Sequence, residues 1–160
     1  MPADLASLVS AALKTLLSET MFRADARAGY ILNRGEPGFI ETLKTLSAKT
    51  ASTPPREGGK PICSHANHVL YGLELMDRAL HGDAKAFENT DWDAAWRLVS
   101  VTEAEWSDLI ARLDRTGRSV LEAAPKVPSW NEITLTGCFA SAAHTAYHLG
   151  AIRQIMKDIE

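Results

Sequence analysis

Residues 144–154, HTAYHLGAIRQ, place two histidines four residues apart in a segment without proline near the end of the 160-residue sequence. Four residues are close to one helical turn, so His144 and His148 lie one above the other on one face of a helix. Small and apolar residues share that face at three- and four-residue spacing: Gly137, Ser141, Ala151, Ile152 and Ile155. The pattern predicts a helix whose histidines point inward.

Hydrophobic periodicity predicts further helices along most of the chain. The first has an apolar stripe at three- and four-residue spacing, formed by Leu5, Leu8, Val9, Leu13 and Leu16. A short helix is expected from Phe39 to Leu46. A long helix should begin near Lys60 or Pro61 and run to His81, because proline is tolerated in the first turn and Gly82 is a typical stop.

Two start signals define the remaining long helices. Thr102 and Glu105 form a capping box, in which each side chain satisfies a backbone N–H of the first turn, and the helix should end before Pro125. Asn131 is a good N-cap for the last helix, which is expected over about 132–159. Residues 51–61 and 83–101 form two long connections, the second with a possible short helix near Trp92. We therefore expect an all-α four-helix bundle, as one domain over residues 1–160.

Composition excludes several classes of function. A formal charge of −3 gives no excess of Lys and Arg for binding nucleic acid. The apolar N-terminal segment contains Asp4 and Lys14 and has no basic leader, so we expect an amphipathic helix there. We expect no apolar run long enough to cross a bilayer, and no membrane partner. Cys63 and Cys138 stand alone in sequence, which favours reduced, buried thiols and a cytoplasmic location.

The histidines are the candidates for chemistry. Two imidazoles at positions i and i+4, such as His144 and His148, can bind one metal ion. His65 and His68 lie near an apolar stripe of the second long helix, and either could reach the same ion. Three neutral histidines would complete the protein ligands of a zinc or nickel site and leave positions open. Spacing alone leaves a second interpretation, in which the histidines are hydrogen-bonded core residues.

Two segments carry a resemblance to a known family. Residues 144–154 resemble the last-helix signature of the DinB/YfiT-like superfamily, four-helix bundles that hold a divalent metal with three histidines. Residues 64–74, SHANHVLYGLE, resemble the second helix of that superfamily, with His68 fourteen residues before Gly82. The resemblance implies His68, His144 and His148 as the metal ligands. It leaves His65 as a neighbour of the ligands or an alternative ligand, and zinc or nickel as the ion.

The same resemblance suggests a type of activity. Characterised relatives include transferases and isomerases that use low-molecular-weight thiols, so we expect a metal-dependent enzyme acting on a small molecule. Thiol S-transfer is expected ahead of hydrolysis, with Asn67, Tyr71 and Trp130 as pocket residues and no catalytic residue assigned. The alternative is a non-catalytic metal-binding or stress-response protein, and an open cavity reaching the ion would distinguish the two. A homodimer is compatible with this family.

Overall fold

The computed structural model describes residues 5–23, 29–127 and 129–159, and these residues form helices and connecting loops without a strand. Seven α-helices lie in this part of the chain: α1 Leu5–Phe22, α2 Phe39–Lys44, α3 Ala48–Ala51, α4 Ile62–Leu80, α5 Trp92–Ala95, α6 Glu103–Ala123 and α7 Glu132–Asp158. A 3₁₀ turn, Ala124–Lys126, follows α6. The expected all-α class is confirmed.

The starts of α6 and α7 have local chemical causes. Thr102 Oγ1 accepts a hydrogen bond from the Glu105 N–H at 3.3 Å, and Glu105 Oε2 accepts one from the Thr102 N–H at 2.7 Å. Asn131 and Thr134 exchange the equivalent pair at the start of α7. Each pair satisfies two N–H groups that have no partner within the helix. The expected capping box and N-cap are therefore confirmed.

The long helices bring α4 and α7 side by side. Helix α4 packs against both α6 and α7, and α1 packs against α7. Leu70, Leu113 and Ile152, from α4, α6 and α7, are fully buried in one shared core, and the short α2 adds Phe39 and Ile40 to it. Each such side chain contributes about 1.5–3 kcal/mol by its burial. This packing holds the histidine-bearing faces of α4 and α7 against each other.

The connection between α4 and α6 folds back along α4. Asn67 Nδ2 donates to the Ala95 carbonyl oxygen at 2.8 Å, and the Tyr71 hydroxyl accepts from the Asp91 N–H at 2.9 Å. Both bonds hold α5 against the histidine-bearing part of α4. The short helix expected near Trp92 is thus present and spans Trp92–Ala95.

Helix α1 corrects one expectation. Among the described residues, this one helix is long and apolar enough to cross a membrane. The sequence had predicted that no apolar run was long enough. Leu13, Leu17 and Met21 in its second half are buried against neighbouring helices, while Leu5 and Leu8 at its start are exposed. Buried residues make up 28% of this helix, and all of them lie from Leu13 onward.

Candidate metal centre

Four histidines meet between α4 and α7. Helix α4 contributes His65 and His68, and α7 contributes His144 and His148. Ligand nitrogens of His68, His144 and His148 all lie within 4.8 Å of one another, and this cluster could hold a metal ion. The two Nε2 atoms of His144 and His148 are 2.9 Å apart, close to the separation of about 3.3 Å between two nitrogens bound to a tetrahedral zinc ion.

The imidazole of His148 is central because both its nitrogens face other histidines. Its Nε2 lies 2.9 Å from His144 Nε2, and its Nδ1 lies 2.9 Å from His65 Nδ1. Each contact needs one N–H and one lone pair. If His148 holds its proton on Nδ1 and donates it to His65, its Nε2 lone pair is free for a metal. Ligand histidines in proteins generally have such a partner on their second nitrogen.

One ring nitrogen of His68 lacks a partner, and this fits a metal site. Its Nδ1 is buried and has no hydrogen-bond partner among the described residues. A buried polar nitrogen without a partner costs on the order of 1–3 kcal/mol, so such atoms need an explanation. The His68 ring lies 4.9 Å from His144 and 5.1 Å from His148 between ring centroids. The donor set, three imidazoles with one unsatisfied nitrogen, therefore fits a divalent transition metal.

Burial keeps the cluster uncharged. Burial first, and then repulsion by neighbouring histidines, lowers the pKa of His148 to about 3 and that of His68 to about 4. Burial also lowers the pKa of His65 and His144. Neutral imidazole is the form that binds metals, so the cluster does not have to lose protons at neutral pH before it can act as a ligand set.

Two tryptophans from the α5 region cover the histidines. The Trp96 ring stacks on His68 with a centroid distance of 4.2 Å and meets His65 edge-on at 5.1 Å. Trp92 lies 5.4 Å from His68 and 5.1 Å from Tyr71. Aromatic walls limit the access of water to the cluster and lower the local dielectric constant, which strengthens electrostatic interactions there.

A cavity of about 270 Å³ lies beside His144, between α4 and α7. Its walls are mostly apolar or small, and they are formed by Gly72, Leu73, Met76, Phe87, Trp92, Gly137, Ala140, Ser141, His144 and Thr145. The Ser141 and Thr145 hydroxyls donate to helix carbonyl oxygens, each at 2.8 Å. The cavity thus places a small molecule beside one histidine of the cluster, His144.

The chain's own nucleophiles are unsuited to chemistry at this site. Cys63 and Cys138 are free and buried, as expected. Burial raises the pKa of both thiols, that of Cys138 to about 11, so neither is a thiolate at neutral pH. The Ser141 hydroxyl donates to the Gly137 carbonyl oxygen of its own helix at 2.8 Å.

The expected pocket residues have different positions. Asn67 and Tyr71 are close to the histidines, but their polar atoms hold the α5 connection. Trp130 packs in a second apolar cluster with Leu13 and Cys138, and Trp92 lines the cavity instead. Trp96, which covers the histidines, was not anticipated. Its position four residues after Trp92, the same spacing as the histidine pair, was the available signal.

Substitution of His65 by alanine should lower the zinc affinity about 10- to 100-fold, because His148 Nδ1 loses the group that orients it. Competition against a chromophoric chelator would measure the affinity. The stoichiometry at saturating zinc should stay at that of the wild type, and H65Q, which keeps an acceptor, should recover part of the affinity. His81→Ala, at the exposed end of α4, is the control. Loss of stoichiometry in H65A would identify His65 as a ligand, and unchanged affinity would remove it from the site.

Comparison of the chain with family models, curated proteins and solved structures gave no match. The chemistry of the histidine cluster therefore has to be inferred from the residues of this chain. Those residues provide three neutral imidazoles that could hold an ion, an aromatic cover and an open cavity beside His144.

Proposed function

We propose that this protein is a divalent-metal-dependent enzyme of the DinB/YfiT-like type that acts on a small molecule. One observation carries the proposal: nitrogen ligands of His68, His144 and His148 lie within 4.8 Å of one another, beside a cavity that a small molecule can enter. A purely structural metal site has no need of such a cavity. The cavity therefore supports an enzyme over a non-catalytic metal-binding or stress-response protein.

The proposed fold is a four-helix bundle of α1, α4, α6 and α7. These are the four helices longer than fifteen residues, and α4 contacts both α6 and α7 while α1 contacts α7. The bundle is proposed as one domain. Free cysteines support a cytoplasmic location. Exposed Ile133, Phe139 and Tyr147 on α7 support a homodimer.

The proposed ligands are His68, His144 and His148, and the proposed ion is zinc or nickel. Imidazole is a suitable ligand for both ions, and an all-imidazole site can have the geometry that each of them accepts. Nickel competes well for such ligands. When bound, the ion would supply a positive charge that lowers the pKa of a thiol or of water and favours its anionic form. Within the chain, His65 would hold the proton of His148 Nδ1 in a fixed place, and Trp92 and Trp96 would exclude bulk water.

The nucleophile is proposed to come from outside the chain. Both thiols of the protein are buried with raised pKa, and Ser141 is bound to helix backbone. The described cavity walls carry no carboxylate that could act as a general base. A small thiol, with a pKa far below that of water, needs less activation at such a site. This supports thiol S-transfer ahead of hydrolysis.

An assay of a small panel of reactions would test the proposal. Protein loaded with zinc or nickel would be incubated with electrophiles, such as activated aryl halides, epoxides and enones, together with thiols of different charge. Ester and amide substrates without thiol would test hydrolysis. We expect thiol-dependent turnover that chelation abolishes and metal restores. Turnover that survives chelation would contradict the metal role, and metal binding without turnover on any substrate would favour the non-catalytic alternative.

A further inference from the structure

We propose that the cavity beside His144 binds an uncharged aromatic group that carries one hydrogen-bond acceptor, and that charged parts of a ligand stay outside it. The cavity lies between α4 and α7, and none of its described wall residues carries a carboxylate, ammonium or guanidinium group. The inference rests on the proposed function in one respect only, namely that the bound molecule is called a substrate.

The inner part of the cavity is apolar. Leu73, Met76 and Thr145 in its wall are buried, and the Thr145 hydroxyl is already bound to the Ser141 carbonyl oxygen. A carboxylate placed there would lose its hydration without gaining a cation, which is strongly unfavourable. An apolar ring would instead exchange water contact for contact with Leu73 and Met76.

The size of the cavity suits one or two rings. An apolar cavity of about 150 Å³ accommodates benzene, and this one has about 270 Å³. Glycines on both facing helices let side chains of the cavity wall approach the helix backbones closely. A Cβ atom added at Gly137 would come within 2.6 Å of Met76 Sδ, and one added at Gly72 would touch the Trp92 ring at 3.5 Å. The face of α4 at Gly72 thus leaves the Trp92 ring available to a ligand.

His144 supplies the polar contact. Its Nε2 points to His148, whereas its Nδ1 lies 3.7 Å from the Cβ position of Gly72, on the cavity side. No hydrogen bond of Nδ1 is found within the described residues. In the metal-free protein the 2.9 Å contact between the two Nε2 atoms holds one proton, and when His148 donates it the proton of neutral His144 lies on Nδ1. It can donate to a carbonyl or ether oxygen of the bound molecule.

The mouth of the cavity allows a matched pair of variants. Phe87 and Trp92 at the rim are 38% exposed, and Ala140 of α7 is exposed beside them. Ala143, three residues further along α7, is also exposed but does not line the cavity. Leucine at position 140 would narrow the cavity, while leucine at position 143 would extend into solvent. Gly72→Ala adds a methyl group from the opposite wall without a clash.

Binding of 2-acetylnaphthalene and 2-naphthoate to the metal-free protein would test the inference, because the two have similar shape but different charge. Amide chemical shifts would follow both titrations. We expect the neutral ketone to bind at least tenfold more tightly than the anion. Ala140→Leu and Gly72→Ala should each weaken ketone binding at least fivefold, and Ala143→Leu should leave it unchanged. Equal affinity for both probes, or equal effects at positions 140 and 143, would overturn the inference.

The two proposals can fail separately. The ketone titration uses metal-free protein, so its result does not depend on whether the histidine cluster takes up an ion. Ketone binding that depends on residue 140 in a protein that binds no metal would contradict the proposed function alone. A metal-loaded, active protein without ketone binding would contradict the cavity inference alone. Gly72→Ala should also raise helix stability, so weaker binding in that variant would not reflect unfolding.

Discussion

His148→Ala is expected to reduce the zinc or nickel content of the reconstituted, desalted protein from about one ion per chain to less than about a tenth. His148 is nearly fully buried, and its two nitrogens face His144 and His65 at 2.9 Å each. If about 10 kcal/mol of binding free energy is shared among three ligands, loss of one weakens affinity on the order of 100- to 1000-fold. Elemental analysis by mass spectrometry would measure the content.

Two comparisons make the metal prediction specific. His68→Ala and His144→Ala should lose the ion to a similar extent, whereas His81→Ala should retain it because His81 is exposed and bonded to Asp77. Circular dichroism of the metal-free variants should match the metal-free wild type. Equal metal content in the wild type and all three ligand variants would remove the assigned site.

Most of the helical layout was predictable because its signals are local. The capping box at Thr102 and the N-cap at Asn131 act within one turn, so the sequence contains the whole interaction. The stop after α4 is similar, since Gly82 has φ of 94°, a conformation that favours glycine. The membrane-like length of α1 was misjudged, because its apolar content continues past Lys14 to Met21.

The site was predictable only in part because it depends on how helices are rotated against each other. The spacing of His144 and His148 placed them on one face, and resemblance to a family added His68. The bond from His65 to His148 requires a particular rotation of α4 relative to α7, which periodicity does not specify. The position of Trp96 over His68 likewise depends on the path of the α5 connection.

A buried carboxylate at the end of α1 was also not anticipated. Glu19 Oε2 accepts a hydrogen bond from the Tyr30 N–H at 2.9 Å, and Oε1 accepts from the N–H groups of Ile31 and Leu32 at 2.9 and 2.6 Å. Arg23 lies 3.5 Å from the carboxylate and donates to the Leu32 carbonyl oxygen at 2.9 Å. These contacts hold the loop at 29–32 against α1. The three backbone donors lie 11, 12 and 13 residues from Glu19 along the chain, so no local pattern indicates them.

Glu19→Ala is therefore expected to lower the free energy of unfolding by about 3–5 kcal/mol. Removal of one partner of a buried ion pair leaves the other charge in a poorly solvated place, and here three backbone N–H groups also lose their acceptor. Urea denaturation at pH 7, followed by circular dichroism, would measure the loss. Glu19→Gln keeps the shape but only one acceptor oxygen, so an intermediate loss is expected.

Glu41→Gln is the matched control, because Glu41 pairs with Lys44 at 2.9 Å on the exposed surface of α2, where such a pair contributes about 1 kcal/mol or less.

Burial alone would raise the pKa of Glu19, but the backbone donors and Arg23 outweigh it and the pKa lies below its ordinary value of 4.5. A carboxyl group whose pKa is lowered in the folded protein stabilises the fold at pH values above its pKa in the unfolded chain. This stabilisation is lost as the pH falls through its pKa in the folded protein. The difference in unfolding free energy between the wild type and Glu19→Gln should therefore shrink below about pH 4.5, the ordinary carboxyl value. A Glu19→Ala variant as stable as Glu41→Gln, or a difference independent of pH, would show that the loop is held by other contacts.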